Sequence, residues 1–410
     1  MSDKLYCILK FTTYTLRKTG NSMNSFRTRI STHNFDEIKS RAMTPSEMIA
    51  FLEDGALYRT FPDVLTEVYP HADLAPRLSR GLAKLSGSEL SGIQRKVRNW
   101  MNGSNTPQNR EQLFEIAFVL GLSEGAANRL LASASDCGIH YRNPQELVYA
   151  YALRTGLSWA DAQALLARMK PLYEDGMRDG QAARAALMAS GDTTGSPVIY
   201  TRQLRDDFAH VDTEDDLRSF FTLYATQFGE IHETAYEKFM ELLGYLQDPE
   251  GGEGYQSIGH IVDEYMRMNV PDTKRVAKLS YLQKVIKKNW PTETMITRMK
   301  NRTIDVSRKV LLLLFLITED FEYNPAYADD DDESNRDIYY EDLIEDDPEE
   351  RLEIRLNQIN LFLEHYGMNL LDPGNPFDCL VLYALRAEYD EQDSMSENVK
   401  NAIEVLFKDM

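Results

Sequence analysis

NPQELVYAYALR at 143–154 returns as NPFDCLVLYALR at 375–386, 232 residues further on. Asn, Pro, Tyr, Ala, Leu and Arg recur in register, and Glu146 is matched by Asp378. Just upstream, Cys137-Gly138 is matched by Tyr366-Gly367. Working outward, GALYRTFPDVL (55–65) pairs with GEGYQSIGHIV (252–262), GIQRKVRNWMN (92–102) with PTETMITRMKN (291–301), and NREQLFEIAFV (109–119) with SRKVLLLLFLI (307–317). The offset stays at 197–199 and then jumps to 232. Order and spacing kept over four segments point to one helical unit present twice, the second copy carrying an insertion. The jump falls at an acid-rich stretch, assigned as an acidic loop insertion at 321–350.

The segments between agree with an all-α chain. MTPSEMIAFLEDG from Met43 has Thr44 placed as N-cap and Glu47 at the third helical position, a capping box. Helical periodicity runs on to about Lys170 and resumes near Thr213, and no stretch shows sustained strand alternation with hairpin turns. AALMASGDTTGSP (186–198) reads as a linker of small and breaker residues. The expected organisation is therefore two tandem helix-turn-helix-containing domains, 43–185 and 199–410, joined at 186–198. Residues 1–42, with little periodicity, read as a flexible arm or an over-extended gene start. The aromatic-rich stretch 217–245 (Phe220, Phe221, Tyr224, Phe228, Tyr236, Phe239) reads as one helix serving a core or a dimer surface.

In the first copy the pattern predicts helices over 59–69, 73–85 and 89–101, a stop at Asn102-Gly103, and a fourth helix from about Pro107 with Leu113, Ile116, Ala117 and Leu120 on one face. Ser123 is placed to cap a fifth. Val97, Trp100, Asn102-Gly103 and Pro107, followed by the amphipathic helix ending Leu120-Gly121-Leu122, resemble the Cro and lambda-repressor-like (XRE) helix-turn-helix family over about 80 residues. Two features depart from that pattern: HADLAPRLSRGLAKL (71–85) lacks the Gln often found at the start of the second helix, and LSGSEL (85–90) is a longer turn. The resemblance implies binding to double-stranded DNA through the third helix.

Such a helix reads base edges with the side chains it exposes. With Val97 and Trp100 inward, Gln94, Arg95, Arg98 and Asn99 fall outward. Arg suits guanine, and Gln or Asn suits adenine, by bidentate hydrogen bonds. Lys96 is placed for phosphate, and Ser104 and Asn105 in the following loop for the sugar–phosphate backbone. In the second copy Ile296 and Met299 fall inward, and Thr294, Thr297 and Arg298 outward. Lys300 and Arg302 follow in the loop, and Lys284, Lys287 and Lys288 on the preceding helix could act by charge alone. Glu293 on that face would repel phosphate.

The net charge of −20 is unevenly spread. Residues 270–310 hold 11 Lys/Arg against 3 Asp/Glu, whereas 301–350 hold 4 against 17. The acidic run 329–350 reads as a solvated loop, or as an anionic cover for a basic helix face. Cys7, Cys137 and Cys379 are scattered, which argues against a disulfide framework or a zinc site and for a reducing, cytoplasmic compartment. No secretory signal is visible, and the longest apolar run, Val310 to Ile317, is under half a membrane span, so it reads as a buried core helix with no membrane partner. No Walker A, GxGxxG, HExxH, GxSxG or CxxC pattern occurs. The expected function is a non-enzymatic, sequence-specific DNA-binding transcriptional regulator without cofactor or metal, working as a pseudo-dimer within one chain or as a homodimer. The competing expectation is a non-catalytic adaptor that uses the same scaffold to dock protein.

Overall fold

Asn143 and Asn375, the first residues of the repeated segment, do the same local work. Each side-chain oxygen accepts the backbone N–H groups two and three residues on, with proline in the first turn behind it. The computed structural model describes residues 29–107, 109–190, 199–248, 255–271, 279–288, 290–323, 347–387 and 394–408, and among them there are helices and no strand. The first half supplies α1 (Arg29–Ser40), α2 (Pro45–Ala50, prolonged by a π turn at Phe51–Gly55), α3 (Phe61–Val68), α4 (Leu74–Ser86), α5 (Leu90–Met101), α6 (Arg110–Leu120), α7 (Glu124–Ala132), α8 (Pro144–Thr155) and α9 (Trp159–Ser190). The second supplies α10 (Thr201–Phe208), α11 (Glu214–Tyr224), α12 (Glu233–Gln247), α13 (Ile258–Ile261, prolonged by a π turn at Val262–Met266), α14 (Tyr281–Lys287), α15 (Glu293–Lys300), α16 (Arg308–Tyr323), α17 (Pro348–His365), α18 (Pro376–Ala384) and α19 (Met395–Phe407).

The repeat is written into the hydrogen bonding. Arg110, opening α6, binds Glu146 on α8 through two N–H···O contacts of 2.5 and 2.7 Å. Arg308, opening α16, binds Asp378 on α18 in the same forked way at 2.8 and 2.9 Å. Both carboxylates also accept a backbone N–H six residues upstream, from His140 and from Asp372, each at 2.8 Å. Both guanidiniums also donate to two consecutive carbonyls, Cys137 and Gly138 in one case and Asn369 and Leu370 in the other, and Arg110 adds the Ser135 hydroxyl at 2.7 Å. Asn128 accepts the Ile139 amide at 2.7 Å, and Asn360 accepts the Leu371 amide at 2.9 Å. The offset of 232 thus reaches back to Asn128. Cys137-Gly138 corresponds to Asn369-Leu370, not to Tyr366-Gly367 as the letters alone suggested.

The two apolar cores do not follow the division expected at 186–198. One gathers Phe61 to Tyr173 together with Leu204, Phe208, Phe220, Phe221 and Phe228. The other gathers 235–407 together with Phe35, Ile38, Met48, Ile49, Phe51 and Leu52. Each half therefore lends its leading helices to the other. The loans correspond at an offset near 170. Thr44 and Thr213 open α2 and α11 with capping boxes. The Arg59 amide donates to the Gly374 carbonyl, and the Gly229 amide to the Arg142 carbonyl. Arg386, closing α18, donates to the Ile38 and Lys39 carbonyls at the end of α1; Arg154, near the end of α8, donates to the Phe208 and Val211 carbonyls at the end of α10. Such reciprocal contacts are those of an isologous, two-fold interface, here within one chain.

Several local expectations change accordingly. Residues 29–40 are not a loose arm: Phe35 and Ile38 are buried, and the Asn34 amide donates to the Pro373 carbonyl at 2.6 Å; residues 1–28 lie outside the described residues. The linker assigned at 186–198 begins as helix, since α9 runs to Ser190, and 191–198 lie outside the described residues. The assigned insertion 321–350 opens as the end of α16 and closes as the start of α17, with 324–346 outside the described residues. The stretch 217–245 is two helices, not one: Phe220, Phe221 and Phe228 enter one core, and Tyr236, Phe239 and Leu243 the other. Val310–Leu314, Leu316 and Ile317 are buried, as expected of a core helix, and among the described residues no helix is long and apolar enough to cross a membrane.

Removing one partner of a buried ion pair strands the other, at roughly 3–5 kcal/mol. Asp378→Ala should cost about that, and Glu146→Ala should cost less, because the Arg110 side chain is 28% exposed and Arg308 only 8%. Urea denaturation of the two variants gives the order, and equal losses would contradict it. Exchange of leading helices makes a second prediction. A chain cut within 191–198 should elute from a sizing column as one associated species, and separation of the fragments would show that the two cores are independent.

Candidate nucleic-acid interface

α4 and α5 pack on one another, joined through Gly87 at φ +66°, and α5 turns Val97 (1% exposed) and Trp100 (2%) into the core. α5 ends because Gly103 takes φ +71°, a left-handed value that costs glycine nothing. The Asn102 and Gly103 amides return to the carbonyls of Arg98 and Trp100. The loop is then held on the helix end: the Ser104 amide donates to Asn102 Oδ1 at 3.0 Å, and the Asn105 amide to the Asn99 carbonyl at 3.2 Å. Asn109 caps α6 by accepting the Gln112 amide at 2.9 Å, and Ser123 caps α7. Gln94, Arg95, Arg98, Ser104 and Asn105 are exposed, while Lys96 and Asn99 are half-buried, the Lys96 ammonium lying 5.1 Å above the Trp100 ring.

α15 repeats this build at an offset of 199. Ile296 (0%) and Met299 (1%) are the inward pair, and the Asn301 and Arg302 amides return to the Thr297 and Met299 carbonyls. Arg302 stands where the first unit has Gly103 and takes φ +58°. Glu293, Thr294 and Arg298 are exposed; Thr297 and Lys300 are half-buried, with the Lys300 ammonium 6.0 Å from the Tyr255 ring. Arg302 departs from expectation. Its guanidinium donates to Glu233 at 2.5 and 2.6 Å and lies 4.6 Å over Tyr236, so it is drawn into the protein and away from any ligand. Glu233 also faces Arg184 at 3.1 Å, and this shared carboxylate holds the strained residue in place. Lys287 is likewise engaged, donating to the Pro271 carbonyl at 2.6 Å.

One property separates the two outward faces from the rest of the surface. Among the described arginine side chains, only those of Arg95, Arg98 and Arg298 make no hydrogen bond, ion pair or ring contact with another described residue. All three lie on α5 and α15.

A second cluster, formed by residues far apart in sequence, joins the two units. The His140 and His232 rings stack with centroids 3.7 Å apart. His232 Nδ1 lies 2.6 Å from Asp305 Oδ2 and its backbone amide 2.9 Å from Oδ1, while His140 Nε2 lies 3.8 Å from Oδ2. These three side chains could gather round a metal ion. The hydrogen bonds favour another arrangement. His140 Nδ1 accepts the Arg142 amide, so its proton sits on Nε2, and His232 Nδ1 donates to Asp305. The nitrogens nearest the carboxylate thus carry protons; Asp305 accepts from His232, and His140 Nε2, at 3.8 Å, is left without a hydrogen-bond partner. Burial pushes His140 well below the ordinary histidine range. Burial would lower His232 too, but the Asp305 carboxylate outweighs it and holds the imidazole up at about 10. Burial would raise Asp305, and the His232 charge instead brings it down to about 2.

No family model matches the chain, and neither a curated protein nor a solved structure is similar to it.

The junction has a pH signature. His232 goes from 6.5 in the unfolded chain to about 10 when folded, so its contribution is fully present below pH 6.5 and is lost as pH rises toward 10. Asp305 goes from 3.8 to about 2, so its contribution is present above pH 3.8 and fades as pH falls toward 2. The stability difference between wild type and His232→Gln should therefore shrink between neutral pH and about 10. Melting temperatures at several pH values measure it, and parallel curves would refute the pairing.

Proposed function

We propose that this chain is a sequence-specific DNA-binding transcriptional regulator that uses α5 as its reading helix. The observation that carries the proposal is the unpartnered set Arg95, Arg98 and Arg298. Every other described arginine side chain finds a carboxylate, a carbonyl, a hydroxyl or a ring to pair with, as Arg77 and Arg80 find backbone carbonyls. Leaving these three exposed on equivalent helices keeps their N–H forks free for an external partner, and Arg is the side chain whose planar fork fits guanine or phosphate in two contacts. The order of α3 to α6, with α5 held by Val97 and Trp100, is consistent with the helix-turn-helix resemblance drawn from the letters. Gln94 and Asn99 would add adenine contacts, and Ser104, Asn105 and the loop amides would meet the backbone. Lys96 lies near enough to supply charge.

The test is a gel shift on the DNA upstream of the chain's own gene, at two salt concentrations. Affinity should fall steeply with salt. Arg95→Ala with Arg98→Ala should remove the specific shift, each lost guanine contact costing roughly 1–3 kcal/mol, while the melting temperature stays put because neither side chain has an internal partner. Absence of any salt-sensitive DNA binding, with a protein co-purifying instead, would replace this reading with that of a docking adaptor.

A further inference from the structure

We infer that the chain reads two dissimilar DNA sequence elements, one with each unit, so that its preferred site is not a palindrome. The inference rests on the DNA-binding reading above. A regulator made of two identical chains carries two identical reading helices, and its site repeats one element about a two-fold axis. Here the two-fold relation is internal, because each half packs its leading helices on the other. Both reading helices therefore always travel together, in fixed one-to-one proportion, and are free to diverge.

They have diverged in sequence while keeping their inward character. At the offset of 199 the inward residues stay large and apolar, Val97 against Ile296 and Trp100 against Met299, all buried. The helix stop is kept, down to the positive φ of Gly103 and Arg302. The outward residues change as well: Gln94 against Glu293, Arg95 against Thr294, Arg98 against Thr297, and Asn99 against Arg298; Lys96 is replaced by Met295, which packs against the second core. On the general code of base edges, the first set suits guanine and adenine. In the second, Arg298 suits guanine, Glu293 can accept only from a donor such as the cytosine amino group, and Thr294 suits a thymine methyl. The loops differ in the same sense. Ser104 and Asn105 are exposed for phosphate, whereas Arg302 is spent on Glu233. The second unit thus offers base edges a different set of side chains from the first.

Selection from random double-stranded DNA with the full chain tests this, run in parallel with Arg298→Ala and with the Arg95→Ala, Arg98→Ala double variant. The expected result is a composite motif of two different elements. Arg298→Ala should flatten base preference in one element only, with a loss of roughly tenfold against its best base, and the double variant should flatten the other. A palindrome, a repeat of one element, or a motif that Arg298→Ala leaves unchanged overturns the inference while leaving DNA binding intact. No enrichment of any sequence at low salt overturns both the inference and the DNA-binding reading.

Discussion

The fold depends on a guanidinium at the first turn of a helix that has to be neutralised inside the protein. Arg308 is 8% exposed and Arg110 is only partly covered, so each would carry a large desolvation penalty if left alone. One carboxylate does not satisfy five N–H groups. Further donors go to two consecutive carbonyls of the segment that precedes the next core helix, and that segment is pinned in turn by Asn128 or Asn360. One charge thereby fixes three pieces of chain: α6, the 137–139 segment and α8 in one unit, and α16, the 369–371 segment and α18 in the other. Neither member of such a network can change alone, which gives a physical reason for its recurrence in both halves while most neighbouring letters differ.

Two units built in this way still leave apolar surface at the ends of α8 and α18. The leading helices of the opposite half cover it, and Arg154 and Arg386 hold their last carbonyls. Exchange of this kind makes the halves interdependent, and the central junction of His140, His232 and Asp305 sits where they meet. There the half-buried Asp305 carboxylate accepts from His232, whose ring stacks on that of His140, so residues of both halves meet in one charged cluster. Glu233, beside His232 in sequence, does similar work between Arg184 and Arg302.

What could be read in advance follows from how local each determinant is. Val97, Trp100, Ile296 and Met299 were placeable from helical spacing, because a 3.6-residue period says which side chains share a face. The stop at Asn102-Gly103 was legible because glycine is the residue that takes positive φ without cost; its counterpart at Arg302 was not, since arginine there is held by a tertiary ion pair. The arm at 29–40 escaped notice for a related reason. Its two buried apolar side chains, Phe35 and Ile38, gain their meaning only against the second core, hundreds of residues away. Matching of letters misplaced Cys137-Gly138 for the same cause: the conserved feature there is a pair of backbone carbonyls, which no side-chain letter records. His140, His232 and Asp305, separated along the chain, carried no spacing signal at all.

The same distinction bears on function. Interior arginines in this protein are held in specific hydrogen-bonded geometries, and surface ones mostly rest against a nearby carboxylate, a bond worth little by itself but cheap to make in so acidic a chain. Arg95, Arg98 and Arg298 forgo even that. Their helices are anchored firmly from behind, by Val97 and Trp100 in one unit and Ile296 and Met299 in the other, while the outward positions vary between units. On the proposed DNA-binding reading, these free N–H forks suit a partner that is planar, acceptor-rich and anionic.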